Sequence, residues 1–508
     1  MKKVFILSIL FVLAAQSYAQ LAGNCGFVAT DDFIQRTLSN KKHYHKHLGE
    51  NRNPMVRYVP INFLVGGKTD KSQVAATPEQ VLDMLCRLNE EYEVGNIQFY
   101  IYGGIKYIYN NAFYENPGTA NSIIVNPYRE IKAVDVLIGN KADTPGGGLG
   151  VTLGHYNPGK DWIVIKTSEV NYSSETFPHE LGHYFTLNHP HNGWDSDPWD
   201  PAVHGNPVNI SSSPTNPQVP IELVDGSNCE DSGDFLCDTP ADYNLGFGWG
   251  NCNYTGGAMD PTGELLDPEE RNFMGYFLEC GNDYNFTDQQ MALVNADLDL
   301  RQNVLAVDWT PIATSITGDG SLNFPADGDE LGYYNNFEMT WNLPEGATRS
   351  VVEISDNFLF LTTTFYGVKN GNSMWIDSDL LQPNKTYYVR VVPFNDYVTC
   401  TSSLEFTGSF KTGISTNTED ISLDLDWSVF PNPAQQGTKV MVQLDMETSE
   451  EVQLELLDVS GKSIHLEEIS VFSGQNSFEL NNGDLSAGLY FVRINAGNGV
   501  AVKKLIVQ

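Results

Sequence analysis

Residues 177–189 read Phe177-Pro178-His179-Glu180-Leu181-Gly182-His183-Tyr184-Phe185-Thr186-Leu187-Asn188-His189, and this stretch decides how the N-terminal half of the chain is read. Residues four apart on a helix share a face, so His179 and His183 can turn both imidazoles towards one Zn²⁺. Glu180 sits beside the first of them and can reach a water there without becoming a ligand. Ser173 and Ser174 offer N-caps, and the carboxylate of Glu175 suits the dipole of a first turn. His189 lies six residues past His183, too far along a straight helix to join them. The helix must therefore end and the chain turn back. Three protein ligands leave a fourth zinc position open, which a hydrolase needs and a structural site lacks. Zinc lowers the pKa of a water and polarises a carbonyl, and Glu180 is placed to act as general base.

Outward from that stretch, the 508-residue chain is too long for a single core and predicts about three folded units with processed ends. It carries 64 acidic against 29 basic residues, a formal charge of -35. Nucleic acid and anionic membrane surfaces would repel such a chain, so neither is an expected partner. Lys2 and Lys3, the apolar run Val4 to Ala15 and Ser17-Tyr18-Ala19 read as a signal peptide over 1–19. No other run approaches the ~20 apolar residues of a spanning helix, and an exported, soluble protein is expected.

Seven cysteines suit an oxidising compartment. Cys229, Cys237, Cys252 and Cys280 are close enough to form two disulfides, with three pairings open. Cys86 lies in a helical run and reads as a buried, inert thiol.

Residues 20–52 form a short segment ending in the basic run Lys41-Lys42-His43-Tyr44-His45-Lys46-His47, read as a solvated, protease-sensitive linker. Strands are expected at Arg57 to Val65, Ile97 to Tyr102, Ala133 to Ile138 and Trp162 to Ile165, with an amphipathic helix from Pro78 to Tyr92. Strands interleaved with helices predict a mixed α/β domain over 53–308. Its stretch from Pro190 to Arg271, rich in Pro, Gly and Asp, reads as an insertion pinned by the clustered cysteines. Beyond it, short β-type runs between turn residues predict β-sandwiches. The first, over 309–413, resembles a fibronectin type III module through Trp341 and the run Leu381-Gln382-Pro383-Asn384-Lys385-Thr386-Tyr387. A polar linker follows at 414–425. Residues 426–508 resemble the C-terminal sorting domain of the type IX secretion system. The matching pieces are Phe430-Pro431-Asn432-Pro433, Leu457-Asp458-Val459-Ser460-Gly461-Lys462, Leu485-Ser486-Ala487-Gly488-Leu489-Tyr490 and Val502-Lys503-Lys504-Leu505.

The region 55–305 resembles the metzincin metalloproteases, and among them the pappalysins. Four pieces carry the resemblance, in order: the extended zinc motif; Gly233-Asp234-Phe235-Leu236-Cys237-Asp238-Thr239-Pro240-Ala241-Asp242; the Met-turn-like Asn272-Phe273-Met274-Gly275-Tyr276; and Phe286-Thr287-Asp288-Gln289-Gln290 with its helix. The resemblance implies a mixed twisted sheet with an active-site helix, Met274 as an apolar floor under the histidines, and Tyr276 as a donor to the oxyanion. It also implies Ca²⁺ at Asp234, Thr239 and the Leu236 carbonyl. Asn24-Cys25-Gly26 resembles a pappalysin pro-segment, in which the cysteine takes the fourth zinc position until cleavage between Lys41 and Arg52 releases it. Metzincins usually carry Gly where this chain has Thr186. Either Thr186 is strained or the turn is built otherwise, with Asn188. His191 is the weaker candidate for third ligand.

The expectation is a multidomain protein, an α/β metzincin domain followed by two all-β sandwiches. It would be a latent zinc endopeptidase acting on proteins or peptides at or beyond a bacterial surface, carried there by the type IX machinery. The rival reading is a surface adhesion or glycan-binding protein on a degenerate zinc domain. The intact histidines and Glu180 weigh against it.

Overall fold

The computed structural model describes residues 23–27, 29–49, 55–144, 151–278, 280–302, 304–307, 315–377, 380–415, 427–446, 450–459, 461–480, 485–496 and 499–508. The expected signal peptide, the end of the pro-segment at 50–52 and residues 416–425 of the expected linker lie outside these. Among the described residues the protein is multidomain and strand-rich, and it divides into two compact units. The first runs to Gly318 and takes in two later segments, Pro344–Val351 and Val392–Glu405; the second holds Asp319–Leu343, Val352–Val391 and Phe406–Gln508.

In the first unit six strands form one sheet: Gly23–Cys25 (β1), Arg57–Gly67 (β2), Ile97–Tyr109 (β3), Val134–Gly139 (β4), Val151–Asn157 (β5) and Trp162–Lys166 (β6), in the order β1-β5-β6-β4-β2-β3. From β3 to β6 neighbours are parallel, β5 runs antiparallel to β6, and β1 is parallel to β5. Every residue of β2 is buried, as expected of a central parallel strand covered on both faces. Leu64, Leu137, Trp162 and Val164 build one apolar face. The helices are Asp31–Lys41 (α1), Pro78–Tyr92 (α2), Asn111–Glu115 (α3), Ser122–Val125 (α4), Thr176–Tyr184 (α5), Pro201–His204 (α6) and Asp288–Arg301 (α7). Thr77 and Thr287 start α2 and α7 with capping boxes to Gln80 and Gln290. The expected strands and helix of this region are present. β5 was not anticipated, because Gly154 and His155 break its apolar alternation.

Cys86 is not a free thiol: it is bonded to Cys400, while Cys229 pairs with Cys237 and Cys252 with Cys280. The Cys400 segment also covers the edge of β3. There the Ile101 N–H donates to the Asp396 carbonyl at 2.9 Å and Gln98 Nε2 to that of Tyr397 at 2.8 Å. The Tyr397 ring packs on Tyr58 and Tyr100. The segment thereby satisfies one backbone group of this edge strand, the Ile101 N–H, and covers it with the Tyr397 ring.

The second unit is all β. One part has a five-stranded and a three-stranded sheet around Phe337, Met339, Trp341, Ile354, Tyr387 and Phe410. There the Gln382 N–H donates to Tyr387 Oη at 2.8 Å, a tyrosine corner of the kind the Leu-x-Pro-x-x-x-Tyr run suggested. The other part has a three-stranded and a four-stranded sheet around Val440, Val442, Leu454, Leu456, Val492 and Leu505.

A denatured, unreduced chain should titrate as one thiol, Cys25, and a peptide map should recover Cys86 joined to Cys400. Replacing both by serine should lower stability by about 2–4 kcal/mol in a denaturant titration.

Candidate metal centre

The centre starts from α5, all nine residues of which are buried. Its N-cap is Glu175, which makes no side-chain cap; instead Ser174 Oγ accepts from the Thr176 N–H at 3.2 Å. Tyr92 Oη on α2 donates to the Pro178 carbonyl, and Arg301 at the end of α7 donates to the Tyr184 carbonyl at 2.9 Å while lying over the Tyr184 ring. The helix is thus tied at both ends.

Its exit is a Schellman turn: the Leu187 N–H bonds the Gly182 carbonyl and the Thr186 N–H that of His183, both at 2.9 Å. Thr186 stands at the left-handed position of that turn with φ 70°. Of the two alternatives, the strained threonine is the one realised, at a cost of about 1–3 kcal/mol. Three residues from α1 and the turn itself hold it. Asn40 Nδ2 donates to Thr186 Oγ1 at 2.9 Å, Thr37 Oγ1 to the Thr186 carbonyl at 3.0 Å, and Asn188 Nδ2 to Thr37 Oγ1 at 3.1 Å.

This reversal brings His189 back to the helix. The Nε2 atoms of His179, His183 and His189 lie 3.1, 3.0 and 3.3 Å from one another. Each ring is aimed from behind: Nδ1 of His179 meets the Phe273 carbonyl at 2.6 Å, that of His183 the Leu187 carbonyl at 2.8 Å, and that of His189 an oxygen of Asp195 at 2.6 Å. With Nδ1 carrying the proton to those acceptors, three Nε2 lone pairs face one point. Burial lowers all three pKa values, that of His179 to about 4, which keeps the imidazoles in the neutral, ligating form.

Zinc–nitrogen bonds of about 2.0–2.1 Å at tetrahedral angles hold two donors about 3.3–3.4 Å apart, so this donor set fits Zn²⁺. Cys25 Sγ completes a group of four donor atoms within 4.8 Å. Burial, then Glu180, pushes its thiol well above the ordinary range, and a cation alongside is what would favour the thiolate in such a place.

Glu180 is fully buried and neither carboxylate oxygen has a hydrogen-bond donor. Burial pushes its carboxyl up to about 8, against weaker pulls from Cys25 and the Tyr156 backbone. A Cβ on Gly154 would come within 3.0 Å of Glu180 Cγ, so β5 passes close enough to fix that side chain. Met274 Sδ lies directly under α5, where a Cβ on Gly182 would meet it at 2.5 Å. Tyr276 Oη donates to the Cys25 carbonyl at 3.2 Å. A narrow, half-open pocket lies beside Cys25, His179, Glu180 and Tyr276, walled by Leu153, Glu175 and Leu278. His191 does not join the three histidines: it stacks face to face on His189 at 4.6 Å, fully buried, with Asp242 3.6 Å away.

The expected calcium residues also come together. Asp234 is buried; its Oδ1 accepts from the Leu236 N–H and Thr239 Oγ1, Thr239 Oγ1 also reaches the Leu236 carbonyl at 3.3 Å, and Asp234 Oδ2 has no partner. Buried Glu222 and Asp242 stand near it, and burial with these like charges drives the Glu222 carboxyl well up. Among the described residues these carboxylates do not form a group whose ligand atoms all lie within 4.8 Å of one another, as the histidines and Cys25 do.

The basic run 41–47 is solvated at Lys42, His43, His45 and Lys46 but is not a free linker. Lys41 ends α1 and pairs with Glu230, Tyr44 is buried, and Lys46 and His47 pair with Asp299 on α7. Phe27 lies at 4.0 Å on the His183 ring. Sequence reasoning missed Phe27, Asp195, Glu222 and the Phe273 carbonyl. Carboxylates like Asp195 and Glu222 in an acidic chain carry no spacing signal, and a carbonyl carries none at all.

Residues 428–508 match the family model described as a secretion system C-terminal sorting domain. The type IX sorting domain is therefore present, and the protein is secreted or lies at the cell surface. No helix among the described residues is long and apolar enough to cross a membrane. No curated protein matches the chain. Among solved structures, dimeric latent PorU from Porphyromonas gingivalis is 15% identical at a TM-score of 0.14, over 38% of this chain and 20% of that one. The FN1–FN3 domains of chicken CNTN1 are 14% identical at 0.15, over 39% and 69%, and the fibronectin(III)-like modules of Clostridium thermocellum CbhA 8% identical at 0.14, over 37% and 92%. At these TM-scores none of the three carries an argument, and this chain spans only a fifth of the PorU chain.

Asn40→Ala removes the bond to Thr186 and one to Asp297, and should lower stability by about 1–3 kcal/mol in a denaturant titration. Adding Thr186→Gly to that variant should restore about 1 kcal/mol, since glycine adopts positive φ without strain. Further destabilisation by the second change would mean the turn is not strained.

Proposed function

We propose that this exported protein is a zinc-dependent endopeptidase of metzincin type, made latent by its own N-terminal segment. The observation that carries the reading is the set of three Nε2 atoms 3.0–3.3 Å apart, each with its opposite nitrogen already engaged. The 53–308 region would be the peptidase domain, and the Tyr387-corner sandwich a fibronectin-type module.

His179, His183 and His189 would hold the zinc. When bound, zinc polarises a peptide carbonyl and lowers the pKa of a water. A bound cation would favour the carboxylate of Glu180 over the protonated form that burial favours without it, and Glu180 would then take a proton from the attacking water and deliver it to the departing amine nitrogen. The buried surroundings of Glu180 strengthen that exchange, because charges act over a low dielectric there. The Tyr276 phenol, now spent on the Cys25 carbonyl, would donate instead to the oxyanion that forms on the substrate, worth about 3 kcal/mol. Met274 supplies an apolar floor. Asp234, Thr239 and the Leu236 carbonyl would hold Ca²⁺ in the loop region that borders the site.

Latency follows from the same residues. Cys25 Sγ sits among the three Nε2 atoms, and β1 occupies the edge of β5 that an extended peptide would use. Residues 20–52 would be removed by cleavage, and protein or peptide substrates take their place.

The chain lacking residues 1–52 should cleave denatured casein, and a zinc chelator should abolish this reversibly. Glu180→Ala should cut kcat about 100- to 10,000-fold and Tyr276→Phe about 100-fold. A folded, zinc-loaded protein without activity would instead favour an adhesion or glycan-binding protein. Full-length Cys25→Ala should process itself faster than the parent chain, read on gels over time.

A further inference from the structure

His179 and His183 project from one helix turn, and the helix fixes their direction. His189 comes from a loop, six residues beyond, and has no helix to aim it. It is also the one of the three whose Nδ1 meets a carboxylate rather than a backbone carbonyl.

We propose that Asp195 is the positioning residue of this ligand: it fixes the direction of the His189 ring from behind. Asp195 Oδ1 lies 2.6 Å from His189 Nδ1, and the two side chains are 6% and 1% exposed. Its second oxygen accepts the Gly193 N–H at 3.0 Å, so one carboxylate closes the loop on itself between the histidine and its own turn. The loop is held from outside as well. Asn244 Nδ2 donates to the carbonyls of Trp194 and Asp195, and Trp194 stacks on Tyr243 at 4.7 Å. A carboxylate on a ligating imidazole raises its basicity beyond what a carbonyl does, and loss of such partners typically costs 10–100-fold in metal affinity.

This inference rests on the zinc reading, and the experiment separates the two. Full-length protein, Asp195→Asn, Asp195→Ala and His189→Ala are titrated with zinc against a fluorescent chelator, and the metal-free melting temperature of each is recorded. Asparagine keeps an oxygen acceptor of the same shape and so isolates what the carboxylate adds over an amide oxygen. The expected result is a 10–100-fold weaker zinc affinity for Asp195→Asn, a larger loss for Asp195→Ala, and metal-free melting of Asp195→Asn close to the parent. Asp195→Asn binding zinc as tightly as the parent, while His189→Ala does not, overturns the role of Asp195 and leaves the zinc reading standing. If Asp195→Ala fails to fold, the asparagine variant alone decides. A parent chain that binds no zinc overturns the zinc reading and this inference with it.

Discussion

The reversal of the chain at Thr186 is the constraint on which the centre depends. Two histidines four apart on α5 converge by helix geometry alone, but a third can arrive only if the helix stops and the backbone turns through a left-handed residue. A β-branched residue is poorly suited to that conformation, and the structure meets the cost locally. Thr37 and Asn40 from α1 bond the carbonyl and the hydroxyl of Thr186, and Asn188 bonds Thr37. Asn40 also reaches Asp297, which Arg36 and Arg301 share. In the latent chain the N-terminal segment therefore holds this turn as well as covering the centre, and its proposed removal leaves the two backbone bonds of the Schellman turn to hold it.

Much of this was legible in the residues, and what was not has physical reasons. The spacing of His179, His183 and His189, and the position of Glu180, are periodic facts that survive folding. So is the apolar alternation of β2, β3 and β4. The tyrosine corner at Tyr387 and the C-terminal sorting domain were legible because their side chains recur at fixed distances along the chain. The disulfide between Cys86 and Cys400 was not, because partners 314 residues apart leave no local trace. Nor was β5, whose Gly154 is there to make room for Glu180 and so weakens the strand pattern. The basic run at 41–47 misled because charge suggests exposure, whereas Lys41, Lys46 and His47 each meet a carboxylate on a packed surface.

Polar contacts behind the histidines follow one economy: each Nδ1 proton is given to an oxygen, and each oxygen comes from a different part of the chain. Phe273 precedes Met274 in its turn, Leu187 is the residue after the strained threonine, and Asp195 opens the long insertion. The orientation of the rings is thereby tied to three separate loops, any of which shifts the Nε2 triangle if it moves. Of the three acceptors, Phe273 lies within the loop closed by Cys252–Cys280.

The segment around Cys400 has a consequence for the timing of assembly. β3 is among the early strands to be synthesised, yet the groups that close its edge, Asp396 and Tyr397, lie about 300 residues later. At about 5–20 residues per second that is a delay of about 15–60 s. The disulfide that secures the segment forms only where the surroundings are oxidising. During synthesis, and until export reaches such surroundings, the sheet has an open margin and Cys86 an unpaired sulfur. The nascent chain thus passes through a period in which its most adhesive edge depends on a companion not yet made or not yet fastened.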